Sequence, residues 1–238
     1  VILSIVLLVS GCTSGPDHPD PDTLPYRLNA ERHPGSLDSI HEVMHADLTG
    51  DGRDEHIKHP RNTARDPFSR SSITLYTSSG RTIEQVNFAG QARPPFPHDI
   101  TGDGRLELFV PVVHENTLSV HVVDATGDKL HHIPIMKGTP RQEPGGEIEW
   151  FANVFEMWLT DVTGDGEDEL VTIATTRLAR TPRGVFVHRL PDGEELSHWP
   201  TGAFLGNGVL ISHDSKDFPG IVYGSSAVNN GADVNGQD

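Results

Sequence analysis

Residues 46–57 read ADLTGDGRDEHI, and the same frame returns at residues 98–109 as HDITGDGRLELF and at residues 160–171 as TDVTGDGEDELV. Six positions agree in all three copies, D-x-T-G-D-G-x-x-E. At roughly one chance in twenty per position, three copies are not coincidence. The first acid falls at Asp47, Asp99 and Asp161, so the intervals are 99−47=52 and 161−99=62 residues. Whatever fold the chain adopts must repeat with that period.

The sequence around each copy repeats as well. Behind the loops come the β-rich runs EHIKHP, ELFVPVV and ELVTIATT, and then hairpin patterns with polar turns: SITLYTSSGRTIEQVNF, LSVHVVDATGDKLHHIPI and GVFVHRLPDGEELSHWP. Strand-like runs, SIHEVMHA and NVFEMWLT, precede at least two of the loops. One unit therefore reads strand, acidic loop, strand, connection, strand, turn, strand. Four strands per period predict an all-β fold, a β-propeller of four-stranded blades, with a solenoid or sandwich of ordinary modules as the competing architecture. The blades are expected at about 39–90, 91–138 and 148–200, with part of a fourth at 203–238.

These units resemble the FG-GAP/VCBS-type repeats, the calcium-loop blades also found in integrin α-chain propellers. The resemblance covers residues 39–198 well and the remainder weakly. It implies that each acidic loop joins the first two strands of a blade.

The loop chemistry agrees. Ca²⁺ takes six to eight oxygens at about 2.3–2.6 Å with flexible geometry. Side chains at loop positions 1, 3 and 5, a backbone carbonyl at 7 and a carboxylate at 9 can wrap one ion. The candidate sets are Asp47, Thr49, Asp51, the carbonyl of Arg53 and Glu55; Asp99, Thr101, Asp103, the carbonyl of Arg105 and Glu107; and Asp161, Thr163, Asp165, the carbonyl of Glu167 and Glu169. Gly52, Gly104 and Gly166 stand where the chain must turn sharply, with positive φ expected. An EF-hand is excluded, because its twelfth position should be Glu and here holds Lys58, Val110 and Thr172, and because the flanks are β-like. Relative to the propeller family, Thr stands at position 3 in place of Asp or Asn, and Glu at position 9 in place of Asp. That points to loose binding, about 10⁻⁴–10⁻³ M, of up to three structural Ca²⁺ ions. Acidic β-turns holding no ion are the plain alternative.

Composition sets the surroundings. The 238 residues carry 18 Lys+Arg against 34 Asp+Glu, a net charge of −16, which a nucleic-acid backbone would repel. Cys12 is the single cysteine, so no intrachain disulfide can form. It follows an uncharged apolar run, VILSIVLLVSGC, whose length is that of a signal-peptide core and whose end resembles a bacterial lipobox. Residues 1–12 are expected to be a lipoprotein-type signal with lipidation at Cys12, and residues 13–38 a Pro/Asp-rich tether. The last eight residues, GADVNGQD, begin like a calcium loop, but Gln237 and Asp238 stand where Asp and Gly belong. Asp214 fits the period better, since 214−161=53, and starts a degenerate fourth loop with Lys216 and Phe218 at ligand positions. The ending then reads as a blade cut short.

One further motif needs weighing. HEVMH, His41 to His45, matches the zinc-protease pattern H-E-x-x-H, which requires a helix. Its register aligns it with a strand, VFEMWLT, and on a strand the two imidazoles lie about 13 Å apart. The other histidines are expected on solvated or blade faces. No nucleophile elbow, phosphate loop or Cys/His zinc cluster occurs. The expected function is an exported, lipid-anchored Ca²⁺-binding module of the cell envelope, at the outer membrane or cell surface. It would bind a protein or glycan, without catalysis and without nucleic acid. The rivals are the sensor region of a longer signalling protein and a propeller-based polysaccharide lyase.

Overall fold

The computed structural model describes residues 41–60, 71–148, 150–176, 182–201, 204–211 and 220–226. Cys12, the 13–38 segment, the Asp214 loop with Lys216 and Phe218, and residues 231–238 lie outside the described residues. Every regular element among the described residues is a strand.

The first sheet holds β1 (His41–Ala46), β2 (Glu55–Pro60), β3 (Ser72–Tyr76) and β4 (Thr82–Asn87), antiparallel and in chain order. The second holds β5 (Gln91–Ala92), β6 (Phe96–His98), β7 (Glu107–His114), β8 (Thr117–Val123) and β9 (Lys129–Lys137). Its outermost position is filled in two pieces, because β5 and β6 both pair with β7. Pro94 and Pro95 fall between them, and proline has no N–H to give the ladder. That interruption hid the strand before the second loop from the sequence pattern. A small hairpin, β10 (Arg141–Glu143) and β11 (Gly146–Ile148), follows. The third sheet is β12 (Ala152–Thr160), β13 (Glu169–Thr176), β14 (Gly184–His188) and β15 (Glu195–Pro200), and β16 (Phe204–Ile211) pairs with β17 (Gly220–Ser226) beyond it. The described residues thus form three sheets of four or five antiparallel strands, with no closed barrel.

Side-chain alternation assigns each sheet its neighbours. Ile57, Ile73, Leu75, Val86 and Phe88 of the first sheet and its exit pack with Leu108, Val110, Val112 and Val123 of the second. The opposite face of the second sheet presents Phe109, Leu118, Val120, Val122 and Ile133 to Val154, Met157, Leu170 and Phe186 of the third. Val171, Ile173, Val185 and Val187 form a further cluster on the third sheet's far face. The core is therefore a series of face-to-face seams between consecutive sheets. Each Val-to-Phe-sized side chain buried there contributes about 1.5–3 kcal/mol.

Candidate metal centres in the acidic loops

The three repeats occupy equivalent junctions. Residues 47–54 join β1 to β2, residues 99–106 join β6 to β7, and residues 161–168 join β12 to β13. The position-9 acid opens the second strand each time, as Glu55, Glu107 and Glu169.

The hydrogen bonds repeat with the sequence. Asp47 accepts the N–H groups of Gly50 (2.8 Å) and Asp51 (3.1 Å) on Oδ1 and of Gly52 (2.8 Å) on Oδ2. Asp99 accepts Thr101, Gly102 and Asp103 on Oδ1 and Gly104 on Oδ2. Asp161 accepts Gly164 on Oδ1 and Gly166 on Oδ2. At position 5, Asp51, Asp103 and Asp165 each accept the N–H of residue 7, Arg53, Arg105 and Glu167, at 2.9 Å. Two glycines per loop make this closure affordable to the backbone: φ is +71° at Gly102 and +84° at Gly104, with the same sign at positions 4 and 6 of the other two loops. The positive φ expected at Gly52, Gly104 and Gly166 is present.

Position 9 holds what the sequence did not reveal. Glu55, Glu107 and Glu169 are buried. Each turns Oε2 back to accept the N–H of position 2: Leu48 at 3.0 Å, Ile100 at 3.1 Å and Val162 at 2.9 Å. Glu169 also accepts the Thr163 N–H at 3.2 Å. The position-3 hydroxyls divide between the two acids. Thr49 and Thr163 donate to the glutamates, whereas Thr101 donates to Asp99. The signal was present, since a Glu recurs as the first residue of the second strand, but its acceptor role depends on how the loop folds back.

Electrostatics tie the loop acids together. Burial pushes the Glu55 carboxyl above its ordinary range, and the charges of Asp51 and Asp47 add to that against the Leu48 and Thr49 N–H groups. Burial likewise raises Glu107, helped by Asp99 and Asp103 and opposed by the Ile100 N–H. For Asp99 burial also acts upward, but the N–H groups of Gly104, Gly102, Asp103 and Thr101 together carry the net shift downward. In the first two loops the acids at positions 1 and 5 thus repel the one at position 9. A hard cation relieves such repulsion, and all the candidate donors are oxygens, which is the chemistry Ca²⁺ takes. The donor set fits calcium in kind. In placement, the position-1 and position-5 carboxylates are turned onto the loops' own N–H groups, and among the described residues no three His, Cys, Asp or Glu side chains converge as a metal-holding group.

The first two loops touch. A Cβ built on Gly50 would lie 2.8 Å from the Gly104 carbonyl oxygen, whereas one on Gly52, Gly102, Gly104 or Gly166 would meet nothing within 4 Å.

The H-E-x-x-H match lies on β1, a strand, with Glu42 opposite His59 and His45 opposite His56. Three other histidines line seams between sheets. His98 on β6 bonds the Met157 carbonyl of β12 at 3.2 Å, and burial holds its pKa down. His121 sits against Phe88 and His132. Burial, then His132 and Lys129, push its pKa down to about 4. His188 is pushed down to about 4 by burial and His198, against a hydrogen bond to the Ile135 backbone.

No protein-family model matches the chain, and no curated protein matches it. Among solved structures, the V. cholerae biofilm matrix protein Bap1 aligns at 16% identity with a TM-score of 0.45, over 76% of this chain and 27% of that one. The Bacillus licheniformis rhamnogalacturonan lyase PL11 aligns at 13% identity with a TM-score of 0.33, over 76% of this chain and 54% of that one. This chain therefore spans about a quarter of the first protein and about half of the second. At these scores neither likeness bears on function.

Proposed function

We propose that the chain is a run of calcium-loop propeller blades of the FG-GAP/VCBS type, exported, lipid-anchored through Cys12, and acting as a non-catalytic binding or adhesion module at the cell envelope. The observation that supports this best is the recurrence of one loop at one place. Three D-x-T-G-D-G-x-x-E segments stand at the same strand-to-strand junction of three successive stacked sheets and share one hydrogen-bond scheme. Calcium would be held by Asp47, Thr49, Asp51, the Arg53 carbonyl and Glu55, and by the matching residues of the other two loops. Its contribution is charge neutralisation: it offsets the repulsion among the acids at positions 1, 5 and 9 and stiffens the sheet junctions. The residues themselves cap the loop backbone and close it onto the second strand. The partner on this reading is a protein or a glycan, met by loops at one edge of the stack, which is an analogy at the level of the fold.

Thermal melting with added Ca²⁺ and with chelator tests the metal assignment. At a tenfold excess over Kd each occupied loop adds about 1.4 kcal/mol of stability, so the melting temperature rises by several degrees and falls again with chelator. Identical melting at millimolar Ca²⁺ and in chelator would overturn it.

A further inference from the structure

One face of the first sheet, turned away from the second, gathers two histidines, a lysine and a tyrosine. Met44, Ile57, Ile73, Leu75 and Val86 turn toward the second sheet. Alternation sends His45, His56, Lys58, Thr74 and Tyr76 the other way, where they are half-buried. On that face His45 of β1 stands directly opposite His56 of β2, and Tyr76 of β3 stands directly opposite His56. The two imidazoles meet edge to face, with ring centroids 4.6 Å apart at 87° and Nδ1 to Nδ1 at 2.7 Å.

From this arrangement we infer that His45 and His56 form a binding site for a borderline divalent transition metal of the zinc, copper(II) or nickel(II) class. Imidazole nitrogen suits those ions, while calcium prefers oxygen, so the site differs in kind from the acidic loops. Two bonds of about 2.05 Å at a tetrahedral angle set nitrogens about 3.3 Å apart. The pair therefore needs to open by only about 0.6 Å, which side-chain rotation supplies while the strands stay paired. Both Cα positions are fixed by the β1–β2 ladder, so the second nitrogen arrives already placed. Half-burial leaves the remaining coordination positions to water. Lys58, two residues along β2 on the same face, opposes a cation and sets the affinity below that of a closed structural site. The site uses none of the loop oxygens, so it stands whether or not the loops take calcium.

The test titrates the full, metal-free chain with Zn²⁺ in millimolar Ca²⁺, following histidine ring signals by NMR and stoichiometry by calorimetry. The ring signals of His45 and His56 are expected to shift together within the first equivalent. His45→Ala and His56→Ala should each lose affinity by about tenfold or more, since even the outer partners of metal ligands are worth 10–100-fold. His114→Ala, at an exposed turn, should change nothing. Where an alanine variant fails to fold, the wild-type ring signals alone decide. Ring signals of His45 and His56 that stay fixed through the first equivalents overturn the site, as does undiminished affinity in both folded variants.

Discussion

The string D-x-T-G-D occurs at residues 99–103 and again at residues 124–128, and the two copies end in different structures. Their first steps are alike. Asp99 Oδ1 accepts the N–H and hydroxyl of Thr101 and the N–H of Asp103, and Asp124 Oδ1 accepts the N–H and hydroxyl of Thr126 and the N–H of Asp128. Both glycines take positive φ, +71° at Gly102 and +97° at Gly127. The sixth residue separates them. Gly104 turns again at φ +84° and donates to Asp99 Oδ2, extending the loop until Glu107 reaches back to Ile100. Lys129 instead enters β9, and Asp124 N–H bonds the Asp128 carbonyl to close a tight hairpin. Five residues make the same aspartate-centred turn. A glycine and a glutamate further on convert it into a candidate metal loop.

That difference can be broken by mutation. The largest effect is expected at position 9, because removing the buried acceptor leaves the part-buried N–H groups it holds without their partner, at about 1–3 kcal/mol each. Glu169→Ala, which strands two, should cost about 3 kcal/mol and Glu107→Ala about 2 kcal/mol. Asp128→Ala, exposed on the short hairpin, should stay within about 0.5 kcal/mol. Urea unfolding of the three variants without calcium reads this directly, and equal losses would remove the structural role of position 9.

A smaller effect separates two glycines at the same loop position. Gly50 and Gly102 share φ +71°, so alanine costs each about 1–2 kcal/mol from left-handed backbone alone. Only at Gly50 would the new Cβ press on the backbone of the neighbouring loop. Gly50→Ala is therefore expected to destabilise by about 1 kcal/mol more than Gly102→Ala. Matching melting temperatures for the two would show that the loops do not press on each other.

The smallest effect is in pH. Glu107 is raised in the fold, so its contribution to stability is full below the ordinary carboxylate pKa and is lost as pH rises through its folded value. Asp99 is lowered, so its contribution is present above its ordinary pKa and lost as pH falls through the folded one. His121 and His188, with folded values about 4, also lose stability as pH falls from about 6.5. Glu107→Gln leaves the histidine slopes in place, and they cancel in the difference from wild type. That difference in melting temperature, measured without calcium, should move in favour of wild type as pH falls from 7 toward 4. A flat difference would mean that neither burial nor the neighbouring acids raise the Glu107 carboxyl.

The runs EHIKHP and ELVTIATT coincide with β2 and β13, and the loops lie between paired strands. The strand before the second loop was illegible because Pro94 and Pro95 broke its pattern into two short pieces. The seam histidines His98, His121 and His188 were illegible for another reason. On a strand, alternation says that a residue faces one side or the other, not what covers that side. The protease-like string lies on a strand, as its register indicated, and the pairing of β1 with β2 carries His45 to His56.

By itself the sequence determined the repeat frame, the all-strand character and the turn made by each D-x-T-G-D-G, because these rest on period-two alternation and on hydrogen bonds closed within nine residues. The tertiary structure alone decided which acid is buried, that Gly50 meets Gly104 at a separation of 104−50=54 residues, that His98 meets Met157 across 59, and that His45 meets His56. Such contacts depend on strand register and on how sheets stack. A slip of one residue in the strands would send the histidine and glutamate side chains to the other face.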